Sequence, residues 1–571
     1  MAKLIVGIDF GTSTTVVRYK LEGADANSIM PLRDPGKTDS HIIPSCIFIP
    51  NDSDTHTYGY EALQQKANSN DEGKLITNFK MGLLDGDEQE QEQSKQYIKE
   101  FLTFVYQAFA NQTLGVDYDG LRVYISHPAK WPSDSVKFMK QAVREAGFIR
   151  NEKTDSVESC NEPKAASYEM LKNHLTEWQN SRLLTIDEPI NVFMLDMGAG
   201  TSDIMIFKLS IDENGNPLIS DMLKYPSNDN PILCGGREID VKLQECVISH
   251  CSKYLKDMDE SLFGINEAKG WKEQISSVLK SGQTVNLPND ISVPLRWFIH
   301  DEGKREAIIS GFSLSNYDFE SLTKDHWKNL YTLINGAITK YQETYGVGAE
   351  DIDALFLTGG HARWYTVPNL FNGKGVCGMI GCDYENDKGV VKALNFEKLR
   401  NDPWRMFMNA LPHETVARGL CLQGEGIKIV ETSANSVWVK LTINDKSTDL
   451  IQVVKAGKDI IPLSNGISRK IIMKKNCVFG NLHFDISFDI YIGNCIETAE
   501  HKVLKLSNED DNGVLSRFAY AIFVIPIVAR LDYIFEIKAA IDITESSEIN
   551  ISGDLYVDGQ KKEHFTNDDL V

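Results

Sequence analysis

The sequence is short of basic residues. Lysine and arginine total 59, against 81 aspartates and glutamates, which gives a formal net charge of −22. A broad nucleic-acid-binding surface needs clustered lysine and arginine, so this balance argues against such a surface. A small basic pocket for a nucleotide stays compatible with it, because net charge governs solubility and long-range steering rather than single sites.

Long hydrophobic runs are also missing. The longest candidate, AIFVIPIVA from Ala521, is too short for a bilayer span and contains Pro526. The first residues, MAKLIVGIDF, carry one lysine and a short apolar run that ends at Asp9, which is unlike a secretory leader. We therefore expect a cytoplasmic protein, with no membrane and no nucleic acid among its partners.

Cysteine motifs are sparse as well. The ten cysteines are scattered, and reduced thiols are expected in a large chain with no export signal. Cys377 and Cys382 lie close together in VCGMIGC, but no second pair with ligand spacing accompanies them. A zinc site there is a weak alternative, and the sequence leaves the role of this pair open.

An internal repeat is the clearest positive signal. LIVGIDFGTSTTVVRYK predicts a strand that ends at Asp9, a tight turn of small residues and a second strand. VFMLDMGAGTSDIMIF repeats the pattern about 187 residues later, with Asp196 in the place of Asp9. A fold with two related halves is the simplest explanation.

The spacing of apolar residues predicts the architecture. Helical spacing over 97–110, a strand over 121–125 and a helix over 133–146 that stops at Gly147 indicate alternating α/β structure. From residue 436, segments such as HFDISFDIYIG and YIFEIKAAIDIT alternate with period two. This predicts an antiparallel sheet with one buried face, most simply a β-sandwich, followed by a loose polar tail.

The two turns suit phosphate chemistry. Glycine lets the backbone approach a ligand, and backbone N–H groups and hydroxyls donate hydrogen bonds to phosphate oxygens. A carboxylate at the turn would repel a bare phosphate but would support bound Mg²⁺, so Asp9 and Asp196 indicate a metal–phosphate clamp. An ordinary hairpin is the alternative for one turn alone. A third glycine pair, Gly359 and Gly360, follows a predicted strand and could let a planar base lie against the backbone.

GIDFGTSTT, DMGAGTSD and LFLTGGHARW resemble the two phosphate motifs and the adenosine motif of the actin/sugar-kinase/heat-shock ATPase superfamily. ISHPAKW, REAGF, NEPKAAS, CGGREIDVKL and LPHETVARGLCLQ are similar, in this order, to segments of the seventy-kilodalton heat-shock (DnaK-type) chaperones. KAGKDIIP resembles a turn of their β-sandwich. The resemblance is specific over 1–425 and fainter to about residue 560.

The resemblance implies an α/β fold with a two-lobed, actin-like ATPase domain of duplicated ribonuclease-H-like subdomains. That domain would cover 1–425: lobe I about 1–185, lobe II about 186–395, and a return to lobe I over 396–425. A linker, 426–435, would lead to an antiparallel β-sandwich, 436–562, that binds substrate or partner. No helical lid is recognisable, and 563–571 would be a flexible tail.

The resemblance also implies a site. The catalytic residues would be Lys80, Glu162, Asp196 and Thr201. The phosphates would be bound by Gly11, Thr12, Ser13, Thr14, Gly198, Ala199, Gly200 and Thr201. Mg²⁺ would be held, mainly through water, by Asp9 and Asp203. Adenosine would be surrounded by Gly235, Gly236, Glu273, Gly359, Gly360, His361 and Arg363. Pro128 matches the proline of the family's interdomain switch.

Each role has a plain alternative: Lys80 as an exposed loop lysine, Glu162 as a helix cap, and Pro128 as an ordinary proline after a strand. The chain also departs from the family. Ser276 and Ser277 stand where basic adenosine-pocket residues are usual, and His361 replaces a small hydroxyl residue. The acidic, leucine-rich linker is not recognisable, which leaves interdomain coupling open.

The leading expectation is a chaperone-like ATPase that binds and slowly hydrolyses ATP to ADP with Mg²⁺, with K⁺ as a further candidate ion. It would couple nucleotide state to binding of unfolded polypeptide or a specific client, with a co-chaperone and a nucleotide-exchange factor as further partners. The alternatives are a dedicated ATP-dependent protein switch or reactivating factor, and a small-molecule kinase. The sequence leaves the client, the hydrolysis rate and the oligomeric state open.

Overall fold

The computed structural model describes residues 2–51, 55–68, 73–85, 87–128, 133–186, 188–211, 213, 215–225, 234–252, 272, 285–286, 290–294, 306–310, 313–314, 321–364, 366–371, 396–423, 431–433, 436–444, 446–455, 459–474, 483–493, 516–526, 532–543 and 549–566. The chain forms two compact units. One comprises Met1–Leu184, Ile190–Ile206 and Lys224–Ile427, and the other comprises Thr185–Pro189, Phe207–Leu223 and Lys428–Val571. Both lobes expected within 1–425 contribute most of their residues to the first unit.

The first part of the chain builds a six-stranded sheet and a three-stranded sheet. Its strands are β1 Leu4–Phe10, β2 Thr14–Leu21, β3 Met30–Pro31, β4 Ile43–Pro44, β5 Cys46–Pro50, β6 Thr57–Tyr58, β7 Gly73–Thr77, β8 Leu121–His127 and β9 Ser156–Asn161. Its helices are α1 Gly59–Asn68, α2 Gly82–Asp85, α3 Glu88–Gln112, α4 Ser133–Val143 and α5 Glu162–Asn180. The larger sheet has the order β3-β2-β1-β8-β9, with β4 also paired to β2.

The predicted helices are present. Asp87 caps α3 in a capping box with Glu90, and the helix buries the predicted apolar stripe against the larger sheet. The helix expected over 133–146 ends as an α-helix at Val143 and continues as a π-type turn to Phe148. Gly147 has φ 107°, which is why a glycine stands at this stop.

A second sheet repeats the strand order of the first. The strands of this part are β10 Ile190–Met197, β11 Ser202–Ile211, β12 Pro217–Tyr225, β13 Val285–Asn286, β14 Asp290–Pro294, β15 Glu306–Ser310, β16 Ser313–Leu314, β17 Ala354–Thr358 and β18 Met406–Met408. Its helices are α6 Gly236–Ser252, α7 Lys324–Tyr345, α8 Val367–Phe371, α9 Glu397–Asn401 and α10 Thr415–Leu422.

The order β12-β11-β10-β17-β18 matches β3-β2-β1-β8-β9 strand for strand. In both sheets the strand that leads into the glycine turn pairs in parallel with a strand from later in the chain, β1 with β8 and β10 with β17. The short pairs β13–β16 and β14–β15 are antiparallel and lie outside these sheets. The repeat of the sequence is therefore also a repeat of sheet topology, as expected.

The C-terminal part is β-structure throughout its described residues. Its strands are β19 Glu431–Thr432, β20 Ser436–Ile443, β21 Lys446–Ser447, β22 Ile451–Val454, β23 Ile460–Ile461, β24 Leu463–Lys474, β25 His483–Gly493, β26 Ser516–Pro526, β27 Asp532–Ile543, β28 Ile549–Val557 and β29 Gln560–Phe565. They form the sheets β21-β20-β25-β26, with β22 on β20, and β24-β27-β28-β29, and the pair β19–β23.

The two larger C-terminal sheets share one apolar core, to which Phe484, Phe488, Phe535 and Ile541 contribute. The period-two alternation of β27 is confirmed, since its odd-numbered residues from Tyr533 to Ile543 are buried. The prediction of a loose tail over 563–571 is wrong for its first residues. Residues 563–565 belong to β29 and pair with β28, and the Phe565 ring is buried in the core. Residues 567–571 lie outside the described residues.

The described residues contain no helix with the length and apolar character needed to cross a membrane. Overall the molecule is a mixed α/β structure, as its alternating sequence patterns predicted.

Candidate functional site

The first glycine turn joins β1 to β2. The Gly11 N–H donates to the Thr14 carbonyl at 3.0 Å, and a Cβ atom at residue 11 would lie 2.4 Å from that oxygen. Only glycine fits such an approach. Ser45 braces the turn, because its Oγ lies 2.9 Å from both the Gly11 carbonyl oxygen and Thr15 Oγ1. Sequence motifs did not single out Ser45, since its contact with the turn depends on the tertiary fold.

The second glycine turn, between β10 and β11, is closed by the same kind of hydrogen bond, although a Cβ atom at Gly198 would lie 3.3 Å from the Thr201 oxygen, a less close approach than at Gly11. The Gly198 N–H donates to the Thr201 carbonyl at 3.0 Å, the equivalent of the bond in the first turn. The segment that begins α6 braces it, as the N–H groups of Gly236 and Arg237 donate to the carbonyls of Gly198 and Ala199. A Cβ atom at Gly235 would lie 2.3 Å from the Ala199 oxygen, so glycine is required there too.

The tips of the two turns face each other. A Cβ atom built on Gly200 would lie 3.4 Å from Thr12 Oγ1. The residues of both tips are partly exposed: Thr12, Ser13, Thr14, Gly198, Ala199, Gly200 and Thr201. Two sets of backbone N–H groups and hydroxyls therefore come together at one partly exposed place, and such groups suit phosphate oxygens.

Carboxyl groups crowd beneath these turns. Asp9 accepts a hydrogen bond from Ser126 Oγ at 2.8 Å, because β1 and β8 are parallel and place the two residues side by side. Burial raises the Asp9 pKa to about 7, and the Glu162 carboxylate adds to the rise, while Lys80 and Ser126 oppose it. Asp196 is buried at the equivalent place. Burial raises its pKa well above the usual value, and the charges of Glu162, Asp203 and Asp9 add to the effect.

Lys80 and Glu162 form an ion pair. Lys80 Nζ lies 3.0 Å from Glu162 Oε1, and the lysine side chain is only 5 % exposed. Lys80 is thus not an exposed loop lysine. Glu162 is not the cap of α5 either, since the Asn161 side chain accepts from the Lys164 N–H and caps the helix. Glu162 lies in the first turn of α5, and its carboxylate contacts Lys80.

A histidine cluster lies beside the predicted adenosine residues. His361 Nε2 is 3.1 Å from His326 Nε2, and His326 Nδ1 is 3.0 Å from Glu238 Oε2. The His361 ring is buried and stacks on Trp327. Burial lowers the His361 pKa well below the usual value, and the neighbouring His326 and Lys272 add to the effect.

This cluster fills space next to the glycines. A Cβ atom at Gly236 would lie 3.2 Å from both His361 Cγ and Lys272 Nζ. Gly359 has φ 82°, and a Cβ atom there would lie 2.5 Å from Asp196 Oδ1. The third glycine motif therefore packs closely against the residues that precede the second turn. Arg363 is exposed. Glu273 lies outside the described residues, as do Cys377 and Cys382.

Pro128 directly follows β8 and is partly buried. Its carbonyl oxygen lies 2.8 Å from Nδ1 of His127, a residue that the sequence motifs did not assign to the site. His127 is 7 % exposed, and the charges of Glu162, Lys80 and Lys224 affect the pKa of its ring.

The donor set determines how a metal could be held. Over the described residues, no group of three or more histidine, cysteine, aspartate or glutamate side chains has the spacing of a direct metal site. Burial raises the pKa values of Asp9 and Asp196, and the nearby Glu162 carboxylate adds to both rises, a penalty that a divalent cation would relieve. The residues therefore fit a Mg²⁺ ion held through water, which Mg²⁺ commonly keeps. No protein-family model matches the chain.

Proposed function

We propose that this protein is an ATPase of the actin-like, heat-shock type that binds and slowly hydrolyses ATP with Mg²⁺. The observation that carries the proposal is the pair of glycine turns, with Gly200 against Thr12, beside the partly buried Asp9 and the buried Asp196. Two phosphate-binding turns related by an internal repeat, with carboxylates beneath them, suit a nucleotide triphosphate and a hydrated divalent cation.

The side chains divide the work by their chemistry. The turn hydroxyls and N–H groups bind and orient the phosphates, and Lys80 neutralises charge near the terminal phosphate. Glu162 holds Lys80 in place, and Glu162 with Asp196 orients water. Asp9 and Asp203 would hold the waters of a Mg²⁺ ion, which would neutralise charge on the phosphate oxygens. Phosphoryl transfer needs such placement more than covalent catalysis.

The C-terminal unit is the proposed binding module for a polypeptide or a dedicated protein client in the cytoplasm. Several large apolar side chains on its strands are exposed, among them Ile472 and Ile534, which are directly opposite each other on β24 and β27. Exposed apolar pairs on a sheet suit an apolar protein ligand. We propose that nucleotide state alters this binding, with a co-chaperone and an exchange factor as further partners.

A dedicated protein switch or scaffold without general chaperone activity is the second candidate. The observation that favours it is the packing of His361 against the Gly236 backbone, where the resemblance expects adenosine. A filled adenosine pocket would weaken ATP binding and slow turnover.

Product analysis with a panel of ligands tests the proposal. We expect ADP and inorganic phosphate in equal amounts, a rate unaffected by sugars or polyols, and release of bound unfolded peptide on adding ATP. Phosphorylated sugar or polyol would indicate a kinase instead. Nucleotide-independent binding of one protein, with no competition from unfolded peptides, would favour the dedicated switch.

A further inference from the structure

Arg18 and Glu414 form a buried ion pair that has no part in the candidate site as described so far. Arg18 lies on β2, the strand that follows the first glycine turn, and is 2 % exposed, whereas Glu414 is 4 % exposed. Arg18 Nε lies 3.2 Å from Glu414 Oε2, and Arg18 Nη2 also contacts Glu414 Oε1. Two parallel contacts between a guanidinium and a carboxylate fix both the distance and the orientation of the two groups.

Glu414 belongs to a 3₁₀ turn that begins at Pro412 and contacts the second half of the site. The Pro412 carbonyl oxygen accepts hydrogen bonds from the Gly359 N–H and from Thr358 Oγ1, both at 3.2 Å. Thr358 pairs with Asp196 in the register of β17 and β10, and Gly359 packs on the Asp196 carboxylate. The turn therefore holds the end of β17 directly beside Asp196.

These contacts form one continuous path between the two glycine turns. The path starts on β2 at the Arg18–Glu414 pair and passes through the Pro412 carbonyl. It ends at the third glycine motif, which packs on Asp196. The strand that leaves the first turn is thus connected to the carboxylate that precedes the second turn.

Stability alone does not explain an ion pair at this place. Burying two charges costs free energy that their attraction does not fully return, and apolar side chains of similar volume are often equal or better for stability. An ion pair adds a defined geometry, because the planar guanidinium binds the carboxylate in one arrangement. Replacing the whole pair should therefore affect the position of the connected groups more than the stability of the fold.

We propose that the Arg18–Glu414 ion pair is a positioning pair that fixes the place of Asp196 relative to the first glycine turn. This inference rests on the proposed ATPase function, in which Asp196 orients water. Both side chains of the pair are buried, so they act through the turn at Pro412 and the third glycine motif. Displacing an orienting group by about 1 Å can slow a reaction by about a hundredfold.

Two variants change the pair, and a third is the control. Arg18→Met with Glu414→Leu replaces the pair by apolar side chains of similar volume. Arg18→Lys keeps the positive charge but loses the planar fork that binds both carboxylate oxygens. Asp353→Asn removes a different ion pair, in which Asp353 Oδ1 lies 2.8 Å from Lys398 Nζ. This control lies where β10 and β17 begin, at the opposite end of these strands from Asp196.

Four measurements on these variants and the unaltered protein test the proposal. Single-turnover hydrolysis at saturating ATP reports the chemical step, calorimetry gives the ATP affinity, and urea unfolding gives the midpoint. Hydrogen–deuterium exchange of the peptide that contains Thr358 and Gly359 reports the third glycine motif without any nucleotide. The Gly359 N–H donates to the Pro412 carbonyl, so a displaced turn should speed its exchange.

We expect the apolar pair to lower the single-turnover rate about tenfold or more, with ATP affinity within about threefold and an equal or higher urea midpoint. Exchange of the Gly359 amide should become about tenfold faster in this variant. Arg18→Lys should lower the rate about fivefold or more. Asp353→Asn should leave both the rate and this exchange within about twofold, whatever its effect on the urea midpoint.

Three results would overturn the inference while leaving the ATPase proposal standing. They are rates within about twofold of the unaltered protein in both pair variants, unchanged Gly359 exchange in the apolar pair, and an equal loss of rate in Asp353→Asn. If the apolar pair does not fold, the rate of Arg18→Lys decides by itself. Absence of hydrolysis in the unaltered protein would overturn both proposals.

Discussion

Gly419 lies where helix α10 crosses α5, and its replacement tests how tightly these helices fix the candidate site. A Cβ atom at this position would lie 1.8 Å from the Ala165 carbonyl oxygen and 2.6 Å from its carbon. Real Cβ contacts are not shorter than 3.0 Å, so Gly419→Ala must separate the two backbones by about 1.2 Å. No side chain can rotate away to relieve this clash. We expect a cost of about 3 kcal/mol, the upper end for overpacked sites.

Hydrogen–deuterium exchange of α5 and α10 measures this cost locally. A loss of about 3 kcal/mol should speed exchange of their protected amides about a hundredfold, since each 1.4 kcal/mol is tenfold. Gly466→Ala is the matched control, because a Cβ atom there meets nothing within 4 Å. The reasoning is wrong if Gly419→Ala exchanges within threefold of the unaltered protein. The same variant should also disturb Glu162, which precedes Ala165 by one helical turn.

Three further predictions follow from buried contacts. Glu414→Gln should lower the free energy of unfolding in urea by about 3–5 kcal/mol, because it leaves the buried Arg18 without its counter-charge. The double variant with Arg18→Met should recover most of this loss. Full stability of Glu414→Gln would contradict the prediction. Burial favours a raised Asp155 pKa, but hydrogen bonds from three backbone N–H groups and Thr154 outweigh it and lower the pKa below 3.8. The ionised carboxylate therefore stabilises the fold above about pH 3.8, and this contribution is lost as the pH falls through the lower folded-state pKa. Asp155→Asn should flatten the acid limb of the stability profile, and identical slopes below pH 4 would count against this. Phe484→Ala should lower the free energy of unfolding by about 3–5 kcal/mol in a thermal unfolding assay, because the ring is fully buried between aromatic neighbours. In the same assay, Ile522→Ala should change it by no more than about 0.5 kcal/mol, because Ile522 is exposed.

Local patterns made much of the fold predictable. The helix over Tyr97 and the alternating strands from residue 436 show a regular spacing of apolar residues. The two glycine turns interrupt such patterns, and each of these signals lies within about ten residues of sequence. The repeat of two Asp–Gly turns also predicted that one sheet topology occurs twice. The predictions that were wrong concern the ends of elements. The α-helix ends at Val143 and is followed by a π-type turn, and a strand continues to Phe565, because tertiary packing decides these boundaries.

The candidate site was predictable where it lies in a motif and unpredictable where it depends on long-range contacts. The burial of Lys80 and its pairing with Glu162 join residues 82 positions apart, and only the fold excludes the exposed-lysine alternative. Ser45 carries no motif, since the hydrogen bonds that place it against the first turn depend on the tertiary fold. His361 was expected near adenosine, but its partner His326 lies on a helix that no motif connected to it.

ATP binding and turnover test the central claim most directly. ATP with Mg²⁺ would be titrated calorimetrically into the unaltered protein, Asp196→Ala, Lys80→Ala and the exposed control Lys153→Ala, with single-turnover hydrolysis measured beside it. The account predicts binding and hydrolysis in the unaltered protein and the control, and loss of hydrolysis of tenfold or more in the two site variants. No detectable binding of millimolar ATP to the unaltered protein, or equal hydrolysis in all four proteins, would contradict it.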